Sequence, residues 1–419
     1  MKSLLDKVNA KLNAQGGFLK AVSVLVGGTA FAQLIGFLCL PILTRLYTPE
    51  DYSVLGVYVA IVAILAVISC LRFDIAIPIP ENENDGKALL LLCFLSNTIF
   101  SIILYVVLFI SYPYIQNYKI IDQLSYWIWL IPLGVFVSGF YSALQFWATR
   151  HKRFKDIAKT RMTQAISGNT ASLAGGMFSV GFGGLIVGQF LNFSGGLFKL
   201  AVSAKKDLAT IKSSPLKATF VKFSNFPKFS TLEALANTSA IYLPLIVVSF
   251  FIIGPEVGYL ILAMKILGIP MGLLGSSFAQ VYISNAPAYY AKNELYLYSI
   301  TIIKKIFKLI IIPFIGLAVV SPFIFGYVLG DQWKDLGEYI VWMIPWYFMQ
   351  MLVSPISMSL HIINEQKIAL LLQILGLLIR IGGLLFCLFF YEEKAIAYYI
   401  FSGFIFYFLY FLIVIQRVR

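Results

Sequence analysis

The sequence predicts an all-α polytopic membrane protein, with twelve transmembrane helices in two six-helix lobes related by a pseudo-two-fold axis along the membrane normal. Three observations lead there. Hydrophobic residues make up 60% of the chain and charged residues 12%, against roughly 45–50% and about 25% in soluble domains. Apolar runs recur along the whole length at about 18 residues or more, which is what a hydrocarbon core of ~30 Å asks of a helix. The ~10-residue alternating segments of a β-barrel are not found. The third observation is repetition. The polar break Leu43-Thr44-Arg45-Leu46-Tyr47-Thr48-Pro49-Glu50-Asp51-Tyr52 returns in degraded form as Gly254-Pro255-Glu256-Val257-Gly258-Tyr259, 206 residues later. Trp129-Leu130-Ile131-Pro132 returns as Trp342-Met343-Ile344-Pro345 at an offset of 213. Two echoes spaced by nearly half the chain imply a duplicated unit.

Taken in order, residues 1–15 place Leu4, Leu5, Val8 and Leu12 on one helical face, with Lys2, Lys7 and Lys11 elsewhere. That pattern suits a short helix lying in the headgroup layer. Ala30-Phe31-Ala32 mimics a signal-peptidase site, but the apolar run continues to Leu43, so the first span is read as uncleaved. Twelve spans follow: 18–43, 52–71, 87–111, 126–148, 160–180, 183–203, 230–253, 257–284, 302–329, 338–361, 367–390 and 395–415. The segments between them alternate in charge. One set, with both termini, holds 26 of the 32 Lys and Arg, and the other holds Arg45, Lys119, Lys334 and Lys394. This asymmetry predicts that both termini lie in the cytoplasm. It also accounts for most of the +13 net charge.

The run Arg150-His151-Lys152-Arg153-Phe154-Lys155 is accordingly a cytoplasmic anchor facing anionic lipid, not a nucleic-acid patch. The chain divides into an N-terminal lobe over 1–203, a cytoplasmic linker over 204–229 and a C-terminal lobe over 230–419. Six spans per lobe make the repeats parallel, and the cleft between such halves is the default substrate path. Cys39, Cys70, Cys93 and Cys387 all fall inside apolar runs, so no disulfide framework is expected. With only His151 and His361 and no Cys/His cluster, neither a metal site nor a cofactor is expected.

Polar residues within the spans carry the functional reading. A charge at the centre of a spanning helix costs about 2.5–3.5 kcal/mol on insertion scales. Lys265 lies roughly 12 Å into its span from the outer side, and Arg380 roughly 20 Å from the inner side, at about 1.5 Å per residue. Lys265, Ile269, Gly272, Ser276 and Gln280 share one helical face, as do Gln373, Gly376, Arg380 and Gly383. Small and polar residues at that spacing mark a face turned from lipid. Two readings stay open: a cavity lining with substrate-binding Lys265, Arg380, Gln373, Gln280 and Ser276, or tight helix packing around a cation satisfied by carbonyls. The first half offers only polar cavity candidates, Gln33, Gln164, Asn169 and Gln189. Arg72 and Asp74, at the cytoplasmic end of the second span, form either an interfacial ion pair or a substrate-loading site. Arg45 has a similar status at the outer mouth. Deep cations without deep carboxylates suit an anionic, phosphate-bearing substrate and disfavour a cationic drug.

Thr44 to Tyr52, followed by Leu71-Arg72-Phe73-Asp74-Ile75-Ala76-Ile77-Pro78, resembles the opening of bacterial O-antigen and capsule-type flippases. These form the Wzx-type polysaccharide branch of the multidrug/oligosaccharidyl-lipid/polysaccharide (MOP) exporter superfamily. The Gly254-Pro255-Glu256 turn and the twelve spans extend the resemblance over essentially the whole chain. One departure is Ser53-Val54, where relatives often place a glycine.

The resemblance implies a flippase that is not an enzyme. It would move an undecaprenyl-diphosphate-linked oligosaccharide from inner to outer leaflet by alternating access, with a polysaccharide polymerase and chain-length regulator as partners. The alternatives are an exporter of another lipid-linked glycan (capsule, exopolysaccharide or peptidoglycan precursor) and a polytopic polymerase or ligase of the same pathway. The outer segments are short for such an enzyme, the longest spanning about residues 112–125.

Overall fold

The computed structural model describes residues 17–210, 214–252, 254–363 and 365–419. The headgroup-layer helix expected over 1–15 lies outside the described residues. Among those described, all regular structure is helical. Eleven helices are long and apolar enough to cross a membrane. The twelfth expected span is also a helix, Phe154–Met177, but Lys155, Asp156, Lys159, Arg161 and several Gln, Asn, Ser and Thr lower its hydropathy. The chain is thus a multi-pass membrane protein.

The helices that make up the spans are α1 (Gly17–Leu46), α2 (Pro49–Ser69), α3 (Glu83–Ile115), α4 (Leu130–Arg150), α5 (Phe154–Met177), α6 (Gly183–Ser194) and α7 (Leu197–Thr210). They continue as α8 (Thr231–Phe251), α9 (Pro255–Pro270), α10 (Ser276–Ala291), α11 (Leu295–Leu329), α12 (Leu336–Ile356), α13 (Gln366–Leu377), α14 (Gly383–Phe390) and α15 (Ala395–Val418). Three of the expected spans are broken well inside their length. Gly196, at φ +80°, turns the chain between α6 and α7, a conformation that costs glycine least. Pro270 ends α9 in a π turn over Met271–Gly275, since proline removes a backbone donor. A second π turn, Leu378–Gly382, separates α13 from α14 and carries Arg380. The segment read as a linker is largely helical: α7 runs to Thr210, and a further helix covers Leu216–Lys222.

The first polar break folds as its residues dictate. Thr48 Oγ1 accepts from the Asp51 amide (3.3 Å) and Asp51 Oδ2 accepts from the Thr48 amide (2.9 Å). This reciprocal capping satisfies donors that a helix start leaves open. Pro49 then opens α2 where its missing N–H costs nothing. Pro255 plays the same part for α9.

Two compact units result. The first holds residues 17–39 with 61–235, and the second 40–60 with 236–419. The 40–60 segment, the end of α1 and the start of α2, therefore groups with the C-terminal half of the chain. The core of the first unit gathers Cys70, Phe73, Ile77, Leu90, Trp147 and Leu200. In the second, α12 lies against α9, α11 and α15, burying Met343, Trp346, Met351 and Tyr399.

Candidate functional site

In the second unit the expected cations sit in different surroundings. Lys265 is exposed on α9, with its ammonium 6.0 Å from the centroid of the Tyr52 ring, at the edge of cation–π range. Tyr52 itself is buried and its hydroxyl has no partner. The Tyr52 ring meets Trp333 edge-on at 5.2 Å. Trp333 Nε1 donates to the Thr44 carbonyl (2.8 Å), and Gln332 Nε2 donates to the carbonyls of Thr44 (2.6 Å) and Tyr47 (3.1 Å). These are carbonyls that the C-terminus of α1 cannot use internally. Arg45 donates to the Tyr327 carbonyl at 3.3 Å. Tyr259, in the second copy of the repeated turn, donates to the Gln332 carbonyl at 2.8 Å. The two repeated turns also meet directly: a Cβ on Gly258 would collide with the carbonyl oxygen of Pro49.

Arg380 is 3% exposed. Its guanidinium stacks 4.4 Å from the Trp346 ring and 5.2 Å from that of Tyr399, and it donates to the Ala240 carbonyl at 3.2 Å. Its Nε has no partner. Gly376 and Gly383, on the expected face, bring the backbone against Phe406 and Tyr398 of α15. These surroundings are those of the packing reading, a cation satisfied by rings and a carbonyl. Gln373 is half-buried with its side chain near the Tyr410 hydroxyl. Ser276 and Gln280 lie on α10, but their side chains are outside the described residues. The π turn over Met271–Gly275 intervenes between them and Lys265, so the 3.6-residue phase that aligned all three does not carry across.

The first unit supplies a further cation at the start of the expected 160–180 span. Arg161 is half-buried on α5 and donates to Thr29 Oγ1 of α1. Beside it, the Tyr141 hydroxyl pairs with Thr160 Oγ1 at 3.1 Å and faces Arg161 and Gln164. Gln164 is thus part of a polar group on α1, α4 and α5. The signal was present as Arg161, Gln164 and Gly168 at helical spacing. Asn169 instead turns back to the Ala165 carbonyl (2.7 Å) on its own helix. Gln33 and Gln189 are half-buried.

Arg72 and Asp74 do not form the ion pair that was one of their two readings. Asp74, 5% exposed, accepts from Ser142 Oγ at 2.6 Å, while its Oδ1 has no partner. Arg72 takes a left-handed backbone conformation (φ 57°) with its Nε buried and unpartnered. Two charges of the Arg150-to-Lys155 run are tied within this unit: Arg153 binds Asp207 through two nitrogens (2.7 and 2.8 Å), and Arg150 holds Glu83 (3.2 Å) and the Ile77 and Pro80 carbonyls.

A family described as "Polysaccharide biosynthesis protein" matches residues 42–338. Among solved structures, the chain is similar to the lipid II flippase MurJ in an inward closed conformation, with a TM-score of 0.75, 13% identity, and coverage of 94% of this chain and 87% of that one. It is also similar to an inward-facing multidrug resistance MATE family transporter of the MOP superfamily, with a TM-score of 0.67, 15% identity and 94% of both chains covered. A third similar structure is a MOP superfamily transporter from Pyrococcus furiosus Vc1, described by the reverse polarity of its binding pocket (TM-score 0.57, 12% identity, 95% of both chains). At these identities the likeness is one of fold. No curated protein matches the chain.

Proposed function

Because the chain belongs to the polysaccharide biosynthesis protein family and has the fold of MOP superfamily transporters, we propose that it is a flippase for an undecaprenyl-diphosphate-linked oligosaccharide. Its cargo is an O-antigen repeat unit or similar surface polysaccharide unit, moved from the inner to the outer leaflet of the bacterial cytoplasmic membrane by alternating access. The observation that carries this reading is Lys265: an exposed lysine eleven residues into an apolar helix, its ammonium 6.0 Å from the ring of Tyr52. Ionisable residues inside spans mark substrate paths as a rule, and a diphosphate is a ligand of matching charge. Arg161, with Tyr141 and Gln164, offers a second polar, cationic group in the other unit. Arg380 then acts by shaping the helices around it and does not touch the diphosphate. Ser276, Gln280 and Gln373 remain candidates for the sugar.

Transport of another lipid-linked glycan is the second reading, favoured by the likeness to a lipid II flippase. Both cargoes present a polyprenyl diphosphate, so the same cations serve either. A polymerase and a chain-length regulator are the partners this reading brings. The test is a deletion strain complemented with wild type, Lys265→Ala or Arg161→Ala, with leaflet translocation followed on fluorescent lipid-linked O-unit and lipid II analogues. We expect normal insertion, with surface polysaccharide reduced more than tenfold in Lys265→Ala. Wild-type translocation by Lys265→Ala would reject the diphosphate role. Movement of lipid II alone would reassign the cargo.

A further inference from the structure

Close to the end of the chain, α13 and α15 part from one another. They meet where Gly376 lets the backbone approach Phe406. Toward the ends carrying Gln366 and Val418 they leave an open cleft of ≈ 340 Å³, within the size range of small-ligand sites. Ile368, Leu372 and Leu375 form one wall, and Ile413 with the stems of Gln416 and Arg417 the other. The π turn over Leu378–Gly382 sits between α13 and α14. Such turns offset a helix from its neighbour. While α14 stays packed on α15 through Gly383 and Tyr398, α13 stands off.

The mouth of the cleft is basic. Arg417 lines it; Lys367 and Arg419, close to its lining residues in sequence, are exposed, and Glu365 is the acidic neighbour. The Glu365 contact is loose, 3.8 Å from Arg417 Nη1, with both side chains well exposed. Arg417 therefore keeps most of its five N–H donors for another acceptor. An apolar slot lined by spanning helices and rimmed by cations has the two halves of a lipid-binding site: burial for a chain and charge for a phosphate. We propose that the cleft holds one acyl chain of an anionic bilayer phospholipid, with its phosphate at Arg417. The small local surplus of positive charge suits a singly charged phosphodiester. The narrow, leucine-lined walls suit an unbranched chain.

The test uses the full-length protein, purified in mild detergent, with lipid adducts counted by native mass spectrometry. Phosphatidylglycerol, phosphatidylethanolamine and undecaprenyl phosphate are the probes, each added alone and in equimolar competition. Wild type is expected to favour phosphatidylglycerol over phosphatidylethanolamine by roughly fivefold, the scale of about 1 kcal/mol per basic residue at a membrane surface. Arg417→Gln should bring that preference close to parity while the chain still binds lipid. Leu375→Trp fills the cleft from a side that is already exposed, so the fold should survive it, and it should lower retention of both phospholipids several-fold. Equal retention of the two phospholipids by wild type would overturn the proposal, as would unchanged binding in both variants. Displacement of phosphatidylglycerol by equimolar undecaprenyl phosphate would show that the occupant is the wrong one.

Discussion

At the scale of single residues, the two deep cations separate into two physical types. Arg380 is enclosed by Trp346 and Tyr399, and a desolvated cation–π contact is worth about 2 kcal/mol or more. Truncation would also leave the Ala240 carbonyl without its donor. Arg380→Ala should therefore destabilise the protein by about 3 kcal/mol, seen as a thermal transition several degrees lower in detergent. Arg380→Lys should restore less than half of that, because an ammonium keeps the charge but loses the flat stacking surface. Lys265→Ala should leave the same transition within about 0.5 kcal/mol of wild type, as exposed substitutions do, and remove transport instead. A large stability loss in Lys265→Ala would mean that its exposed position hides a structural contact. Asp74 offers a third case. Ser142 supplies its hydrogen bond, so Ser142→Ala should cost about 2 kcal/mol, the value of a bond to a charged acceptor. Thermal denaturation of Ser142→Ala beside Asp74→Asn checks this, and an unshifted midpoint in Ser142→Ala would show that the bond contributes nothing.

Among the helices, the decisive contacts are made by the repeated turns. Pro49 and Gly258 pack backbone to backbone, and Trp333 and Gln332 hold the carbonyls at the end of α1. A side chain at Gly258 has nowhere to go, since the obstacle is a carbonyl oxygen and not a flexible tip. Gly258→Val should cost about 1–3 kcal/mol by overpacking, against little for Gly268→Ala, whose Cβ would meet nothing within 4 Å. Folded yield from membranes under mild heating measures the difference, and equal yields would show that the turns do not pack as described. The turns themselves were legible: a Thr-Pro-Glu-Asp start is a complete capping signal, and its degraded copy marked the same role. The spans were legible too: eleven are long apolar runs, and α5, lower in hydropathy, is the helix that the alternation of charge between segments requires. What the sequence hid were events inside the runs. The π turns at Met271–Gly275 and Leu378–Gly382 shift the helical phase. A 3.6-residue face projected across such a turn, as from Lys265 onward, therefore does not continue in phase. Pro270 was a readable warning for the first; no comparable residue announces the second. Arg161 was passed over because it stands at the very start of its span, close to the basic run that ends at Lys155. Its partner Thr29 lies 132 residues away, beyond what periodicity can reveal.

For the molecule as a whole, charge decides the side of the membrane each segment occupies. Twenty-six of thirty-two cations lie on one set of segments, and translocating a basic segment is opposed, so that set should stay in the cytoplasm. The structure adds a reason for the anchor to hold. Arg153 is bound by Asp207 and Ser203, Arg150 by Glu83 and backbone carbonyls, and Lys222 by Asp85 at 2.6 Å, so these charges belong to a built surface and not to a loose tail. The segments at Lys119 and Lys334, by contrast, should face outward. The helix α11 supports the same direction: thirty-five residues span about 52 Å at 1.5 Å per residue, well beyond a ~30 Å core, and Lys304, Lys305 and Lys308 lie in its first half. That half must emerge on the side where cations are favoured. Single cysteines at Gln116, Asp331, Lys206 and Asn293, placed in a variant lacking the four native cysteines, turn this into a measurement. A membrane-impermeant maleimide applied to intact spheroplasts should label the first two strongly and the last two only after lysis. Labelling of Lys206→Cys from outside would invert the protein, put the basic surface across the membrane from its lipids, and remove the direction in which the proposed transport runs.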